Sequence, residues 1–236
     1  MNHISTFRFK QFQLIQSENH LKITTEATLF AAWVNAEKAQ NILDIGAGTG
    51  VLSLMLAQKS NAQIEAIEIQ KGAMEICADN FKNSPWKKRL KIHHSSIQNF
   101  DSAEKYDAIV CNPPFFFKQS KRKQESKNRA MHNESLSLGD LIYAVLRLLQ
   151  KSGKFYVLLP PETMQHFVLL ASENGLYLHE KLQLIHKPGK PVLREAACFA
   201  FQKPKSLDVQ QLIIRNPDES YSNAYRELLR EYLIIF

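Results

Sequence analysis

The stretch Ile42-Leu43-Asp44-Ile45-Gly46-Ala47-Gly48-Thr49-Gly50 ends an apolar strand-like run and opens a helical run at Val51. Three glycines at alternate positions allow a tight turn and let a ligand approach the backbone where a side chain would collide. The helix beyond presents unpaired N–H groups at its first turn. A dinucleotide site would be spaced GxGxxG; here the spacing is GxGxG, with Asp44 two residues before the first glycine. A carboxylate there disfavours a pyrophosphate and suits a cationic ligand.

Outward from this turn, β-like runs alternate with helical periodicity. The strands are expected at Ile42–Ile45, Ile64–Ile69, Leu90–His94, Tyr106–Cys111 and Lys154–Leu159, and the helices at Val51–Gln58, Gly72–Phe81, Leu138–Leu149 and Glu162–Glu173. In the third helix, Leu138, Leu141, Ile142, Val145, Leu148 and Leu149 share one face. Ser137 and Asp140 supply a capping box, and Gly153 is read as sitting just past the helix end. Alternation of this kind implies parallel strands joined by right-handed crossovers. Leu176–His186 and Leu193–Phe201, joined by Lys187-Pro188-Gly189-Lys190-Pro191, read as an antiparallel hairpin closing the sheet edge. A strand-like run (Val209–Ile214) and a helix (Ser222–Tyr232) follow. The expected fold is α/β: a doubly wound, mostly parallel, seven-stranded Rossmann-like sheet with an antiparallel edge hairpin. The whole chain, 1–236, is expected to be one domain, with an N-terminal segment (1–40), a core (41–203) and a C-terminal extension (204–236).

Two further features give the turn a chemistry. Glu68 stands 18 residues after Gly50, at a strand end, where a carboxylate can accept both hydroxyls of a ribose. After the third strand, Ser96 and Ile97 offer a side-chain acceptor and a backbone N–H for an adenine edge. Cation, ribose and adenine together describe S-adenosylmethionine. After the fourth strand comes Asn112-Pro113-Pro114-Phe115. Its prolines hold the backbone extended. The Asn112 amide oxygen and the Pro113 carbonyl can accept both hydrogens of one planar amino group, while Phe115 offers a stacking face. Accepting both hydrogens pulls the nitrogen toward tetrahedral geometry, and the developing charge meets a preorganised polar site.

These motifs resemble those of the class I methyltransferases: the first motif at Asp44, Gly46, Gly48 and Gly50, the second-strand acid at Glu68, and the amino-methyltransferase tetrapeptide at Asn112. Ser96 replaces the family's usual Asp. The tetrapeptide is shared by adenine-N6, guanine-N2 and protein glutamine enzymes, so it implies a planar amine or amide acceptor without naming the molecule. With Phe7-Arg8-Phe9, Leu21 to Ala27, Trp33 and the tail, the chain is similar along nearly its whole length to bacterial tRNA1(Val) adenine-N6 methyltransferases. Glu26 and Thr24 stand where that family usually has Asp and Gly. The resemblance implies that Lys22 and Thr25 line the methionine end of the cofactor, and that the substrate is an adenine beside the anticodon. The competing readings are a release-factor type glutamine methyltransferase, an RNA guanine-N2 methyltransferase and a non-catalytic RNA-binding module. Only about 40 residues precede the first strand, which argues against the extra helical domain of the glutamine enzymes.

Charge favours RNA. The net charge is +7, and Lys118, Lys121, Arg122, Lys123, Lys127 and Arg129 crowd the segment after Phe115 against one acid, Glu125. Beside a reacting base such a run would attract phosphates. His132 is read as a loop residue that the chemistry does not need. The three cysteines (Cys77, Cys111, Cys198) form no CxxC pair, so no metal is expected. Without a long apolar span or a signal segment, a cytoplasmic monomer is expected, with tRNA as partner and no membrane.

Overall fold

The computed structural model describes residues 4–17, 23–113 and 136–236. Two N-terminal strands, β1 (Ile4–Arg8) and β2 (Gln13–Ser17), form an antiparallel hairpin, and α1 (Thr25–Trp33) follows. The core then runs β3 (Asn41–Ile45), α2 (Val51–Lys59), β4 (Gln63–Glu68), α3 (Lys71–Lys82), β5 (Leu90–His94) and β6 (Tyr106–Cys111). It continues through α4 (Leu138–Leu148), β7 (Leu149–Leu159), α5 (Pro161–Glu173), β8 (Tyr177–Ile185), β9 (Val192–Ala200), β10 (Asp208–Ile213) and α6 (Asn223–Leu229). The main sheet has the order β10-β8-β9-β7-β6-β3-β4-β5. Its right half, β7 to β5, is parallel, and β9 inserts antiparallel to both β7 and β8. The doubly wound, mostly parallel architecture and the β8–β9 hairpin are those expected. The sheet carries eight strands instead of seven, because β10 adds in parallel outside β8 and occupies the edge assigned to the hairpin.

Side chains alternate across this sheet as the pleat requires. Ile42, Ala108, Val110, Tyr156, Leu158, Ala196 and Cys198 pack on one face with α1, α2, α3 and α6. Leu43, Ile45, Ile109, Cys111, Phe155, Val157 and Phe199 pack on the other with α4 and α5. Every residue of α2 from Val51 to Ala57 is buried, as befits a helix sandwiched between the sheet and α1. Lys59 at its end donates from Nζ to the carbonyls of Ala31 (2.9 Å) and Ala32 (2.8 Å), satisfying the last turn of α1. Burial lowers that ammonium to about 8.

The capping box forms as read: Ser137 Oγ accepts from the Asp140 N–H (3.0 Å), and the Ser137 N–H donates to the Asp140 carboxylate (3.2 Å). The reading of Gly153 as a residue past the helix end is corrected. The helix stops at Leu148 and passes directly into β7, because Leu149 already pairs with Tyr106 of β6. Gly153 lies inside that strand, where a Cβ would meet the Asp107 carbonyl at 3.0 Å.

Candidate active site

The chain leaves β3 toward β4 and β5, then returns to β6 on the other side of β3. Between β3 and β6 the connections diverge, which is where open parallel sheets place their ligands, at the carboxyl ends of the two strands. Asp44, the glycine turn, Glu68, Ser96, Ile97, Asn112 and Pro113 all lie at the ends of β3 to β6. The register pairs Ile45 with Cys111, which brings Asn112 alongside Gly46.

The turn is shaped by its own backbone. The N–H groups of Gly46 (2.9 Å) and Ala47 (3.0 Å) both donate to the Ile67 carbonyl, and Gly50 donates to Ala47 (2.8 Å). Gly46, Gly48 and Gly50 have φ of +74°, +56° and +85°, a region that side chains disfavour. A Cβ on Gly46 or Gly48 would meet none of the described residues within 4 Å. Gly50 has a second reason: a Cβ there would stand 2.7 Å from the Phe81 ring and 2.8 Å from Cys77 Sγ.

Asp44 is 1% exposed. Its Oδ2 accepts from Ser53 Oγ (2.7 Å) and the Ser53 N–H (3.2 Å), while Oδ1 is buried without a hydrogen-bond partner among the described residues. Burial pushes its carboxyl from 3.8 up to about 6; the Ser53 bonds oppose the shift and nearby Glu68 adds to it. Glu68 is also buried. Its Oε2 accepts from the Gly48 N–H (2.9 Å) and its Oε1 from the Gln70 N–H (2.8 Å), so the carboxylate braces the turn while each oxygen keeps a lone pair for a ligand. Ile97 is buried in the core and its carbonyl accepts from Arg147 (3.3 Å). Ser96 is half-buried beside it, its carbonyl accepting from Asn99 and Phe100.

Asn112 is half-buried, yet its Oδ1 is a buried acceptor without a partner among the described residues. Such an orphan costs about 1–3 kcal/mol. Two of them at the ends of adjacent strands mark a place where a ligand would complete the bonding. Pro113 is buried. Pro114 and Phe115, the basic residues Lys118, Lys121, Arg122, Lys123, Lys127 and Arg129, His132, and Lys22 lie outside the described residues. Thr25 is exposed at the start of α1, whose N-cap is Thr24; its hydroxyl accepts from the Ala27 N–H (3.2 Å).

Sequence reasoning missed Asn80 of α3, which is 1% exposed. Its Oδ1 accepts from the Ile15 N–H (2.7 Å), and its Nδ2 donates to the carbonyls of Ile15 (3.0 Å) and Thr49 (2.9 Å). One amide thus ties the N-terminal hairpin to the glycine turn. Its partners are far away in the chain, so no local signal announces it. Burial pushes the thiols of Cys77, Cys111 and Cys198 upward and keeps them protonated, which leaves no thiolate nucleophile among the three. Among the described residues, no group of three or more His, Cys, Asp or Glu is arranged to hold a metal, and no helix is long and apolar enough to cross a membrane.

Residues 8–159 match the family model of the methyltransferase small domain. The chain is 34% identical to the tRNA1(Val) (adenine(37)-N6)-methyltransferase of Pseudoalteromonas translucida, over 98% of this chain and 99% of that one. It is 37% identical to the protein of the same name from Dyadobacter fermentans, over 98% of both chains. Among solved structures, a predicted O-methyltransferase from Agrobacterium tumefaciens superposes with a TM-score of 0.68 at 16% identity, covering 87% of this chain and 95% of that one. An N-methyltransferase from Bradyrhizobium japonicum superposes with a TM-score of 0.53 at 15% identity, covering 74% and 93%. At those identities the likeness speaks for the fold alone.

Proposed function

Because this chain belongs to the methyltransferase small domain family, and within it to the tRNA1(Val) adenine-N6 methyltransferases, we propose that it methylates the exocyclic N6 of an adenine in tRNA, the one beside the anticodon. Bound S-adenosylmethionine would supply the methyl group, its C–S bond breaking to leave a neutral thioether as N6 gains the carbon and gives up one proton to solvent. The observation that carries this reading is that two of the three buried side-chain oxygens without a partner among the described residues, Asp44 Oδ1 and Asn112 Oδ1, lie at neighbouring strand ends; the third, Gln58 Oε1, is on α2. The first suits the ammonium of a cationic cofactor, and the second suits an amino group that has two hydrogens to give.

In this reading Asp44 holds the cationic end of the cofactor, and the glycine turn at Gly46 and Gly48 lets the ligand lie against the backbone past Gly50. Glu68 accepts the ribose hydroxyls with its remaining lone pairs. The N–H of Ile97 and the hydroxyl of Ser96 read the adenine of the cofactor, and Lys22 and Thr25 line the methionine end. The target adenine leaves its stack to enter the site. There Asn112 Oδ1 and the Pro113 carbonyl accept its two N–H groups, and Phe115 supports the ring. As the nitrogen becomes tetrahedral those two bonds strengthen, so they favour the transition state over the ground state. Lys121, Arg122, Lys123, Lys127 and Arg129 attract the flanking phosphates. The whole chain acts as one monomeric methyltransferase domain in the cytoplasm, where its tRNA substrate is found, without a metal.

The test is mass spectrometry of nucleosides from tRNA incubated with the protein and labelled cofactor. N6-methyladenosine is the expected product. Labelled N2-methylguanosine, or no labelled nucleoside, would reject the assignment.

A further inference from the structure

The antiparallel insertion of β9 restores β8 and β10 to the direction of β6 and β7. The ends of β8 and β10 and the start of β9 therefore lie at the same sheet end as Asn112. Three basic residues gather there. Lys187 and Lys190 sit in the β8–β9 turn, closed by a bond from the Lys190 N–H to the Lys187 carbonyl (3.1 Å). Arg215 follows β10, and its N–H donates to the His186 carbonyl (3.0 Å), which joins the two segments. The Arg215 guanidinium lies 4.4 Å above the Tyr221 ring, itself stacked on Tyr225 at 4.5 Å.

Glu219 binds this cluster together. Its carboxylate pairs with Lys187, and its carbonyl accepts from Arg215. To do both it adopts φ +67°, the only positive φ at a non-glycine among the described residues. Backbone held in that region persists only where its surroundings impose it, and it recurs at binding sites. Of the nearby acids, Glu219 pairs with Lys187, so a phosphate engages Lys187 by displacing that carboxylate, and Glu195 is buried against Lys181 at 3.1 Å. Exposed Asp218 is left to oppose the cations, its carboxyl held low by Ser220.

We propose that Lys187, Lys190 and Arg215 form a second RNA-backbone contact, a ridge that takes phosphates of the substrate strand away from the reacting base. This rests on the tRNA reading above. Strands are spaced at about 4.8 Å, so the ridge, from the start of β9 to the end of β10, stands two to four strand steps from Asn112, about 10–19 Å. That is beyond the phosphates directly flanking the adenine. A guanidinium held over an aromatic ring is prearranged for a phosphate or an unstacked base.

The test uses the full chain and two variants, K187Q/K190Q/R215Q and K187Q/K190Q, the second leaving the Tyr221 stack intact. Binding of a tRNA transcript is measured across salt, and cofactor binding by calorimetry reports the integrity of the fold. Each lost phosphate contact should lower the log–log salt slope by about 0.7–0.9, so the double variant loses about 1.5 units and the triple about 2.5. Affinity for tRNA at low salt should fall at least tenfold in the triple variant, with cofactor affinity unchanged. A trinucleotide carrying the target adenine is too short to reach the ridge and should bind all three proteins alike. If both variants keep the wild-type slope for tRNA while the wild type binds and methylates it, the ridge is refuted and the tRNA reading stands. A wild type that neither binds nor methylates tRNA overturns both.

Discussion

Replacing Asp44 with Asn should make the ligand-free protein more stable and its cofactor complex weaker. The carboxyl is 1% exposed and is raised from 3.8 to about 6 by burial. A group whose folded pKa lies above its unfolded value contributes stability at low pH and loses it as pH rises through the folded value. Two units at about 1.36 kcal/mol each mean that ionised Asp44 costs the empty fold about 3 kcal/mol at neutral pH. Asparagine has the same shape, keeps one oxygen for Ser53 and does not ionise. Urea unfolding of the ligand-free protein should therefore show the wild type losing stability between about pH 4 and pH 7 through this group, and the variant not. With cofactor the order reverses, because an amide lacks the charge for an ammonium; losing one charge-assisted bond costs about 1.5–3 kcal/mol, roughly 10- to 100-fold in affinity. Wild-type affinity should itself fall toward tenfold per pH unit below about 6, while the variant stays flat. A variant less stable than wild type at neutral pH, or one that binds cofactor equally well, would refute the assignment of Asp44 as the cation partner.

Glu68→Ala should weaken S-adenosylmethionine binding by roughly 2 kcal/mol or more, since the ribose acceptor and the brace on Gly48 go together; unchanged affinity by calorimetry removes Glu68 from the site. Asn112→Ala should bind cofactor normally and lose more than about 1.4 kcal/mol of transition-state stabilisation, at least tenfold in single-turnover rate; a variant that keeps most of its rate shows that the side chain does not polarise the amine. Replacing Lys121, Arg122, Lys123 and Lys127 with Gln should flatten the salt dependence of tRNA binding by about 0.7–0.9 per contact, with thermal stability nearly unchanged; superimposable binding curves count against an RNA role for that run.

The parallel core was legible because each of its signals is local. Leu90–His94 and Tyr106–Cys111 are strands with the bounds read from their apolar runs, and the four core helices end within a residue of their periodic stretches, whereas the last helix, expected over Ser222–Tyr232, spans only Asn223–Leu229. The motif residues fell at the switch point because strand ends and helix starts fix where a glycine turn lies. What escaped reading depends on distant partners. The β1–β2 hairpin turns at Lys10-Gln11, with no glycine or asparagine to announce it, and is held by Asn80 and the C-terminal residues. The place of β10 beside β8 is set by the pairing of Asp208–Ile213 with Glu180–Ile185, which the amphipathic pattern alone does not encode. Asp44 was read for its charge, but its raised pKa comes from burial that only the packed structure reveals.

The clasp between the two ends of the chain bears on the order of events during synthesis. Phe9 bridges to Leu233, the Lys10 N–H donates to the Tyr232 carbonyl (2.8 Å), and α1 packs against α6. The hairpin's other tie, Asn80 to Ile15, lies only some 65 residues along the chain, whereas Tyr232 and Leu233 follow more than two hundred residues after Phe9. At about 5–20 residues per second the hairpin waits roughly ten seconds or longer for the second tie. The sheet can assemble meanwhile, with the hairpin anchored through α3 alone. A nascent chain stalled before Tyr232 would hold such a half-anchored hairpin, and protease sensitivity within Ile4–Ser17 should be higher in stalled chains than in the full chain.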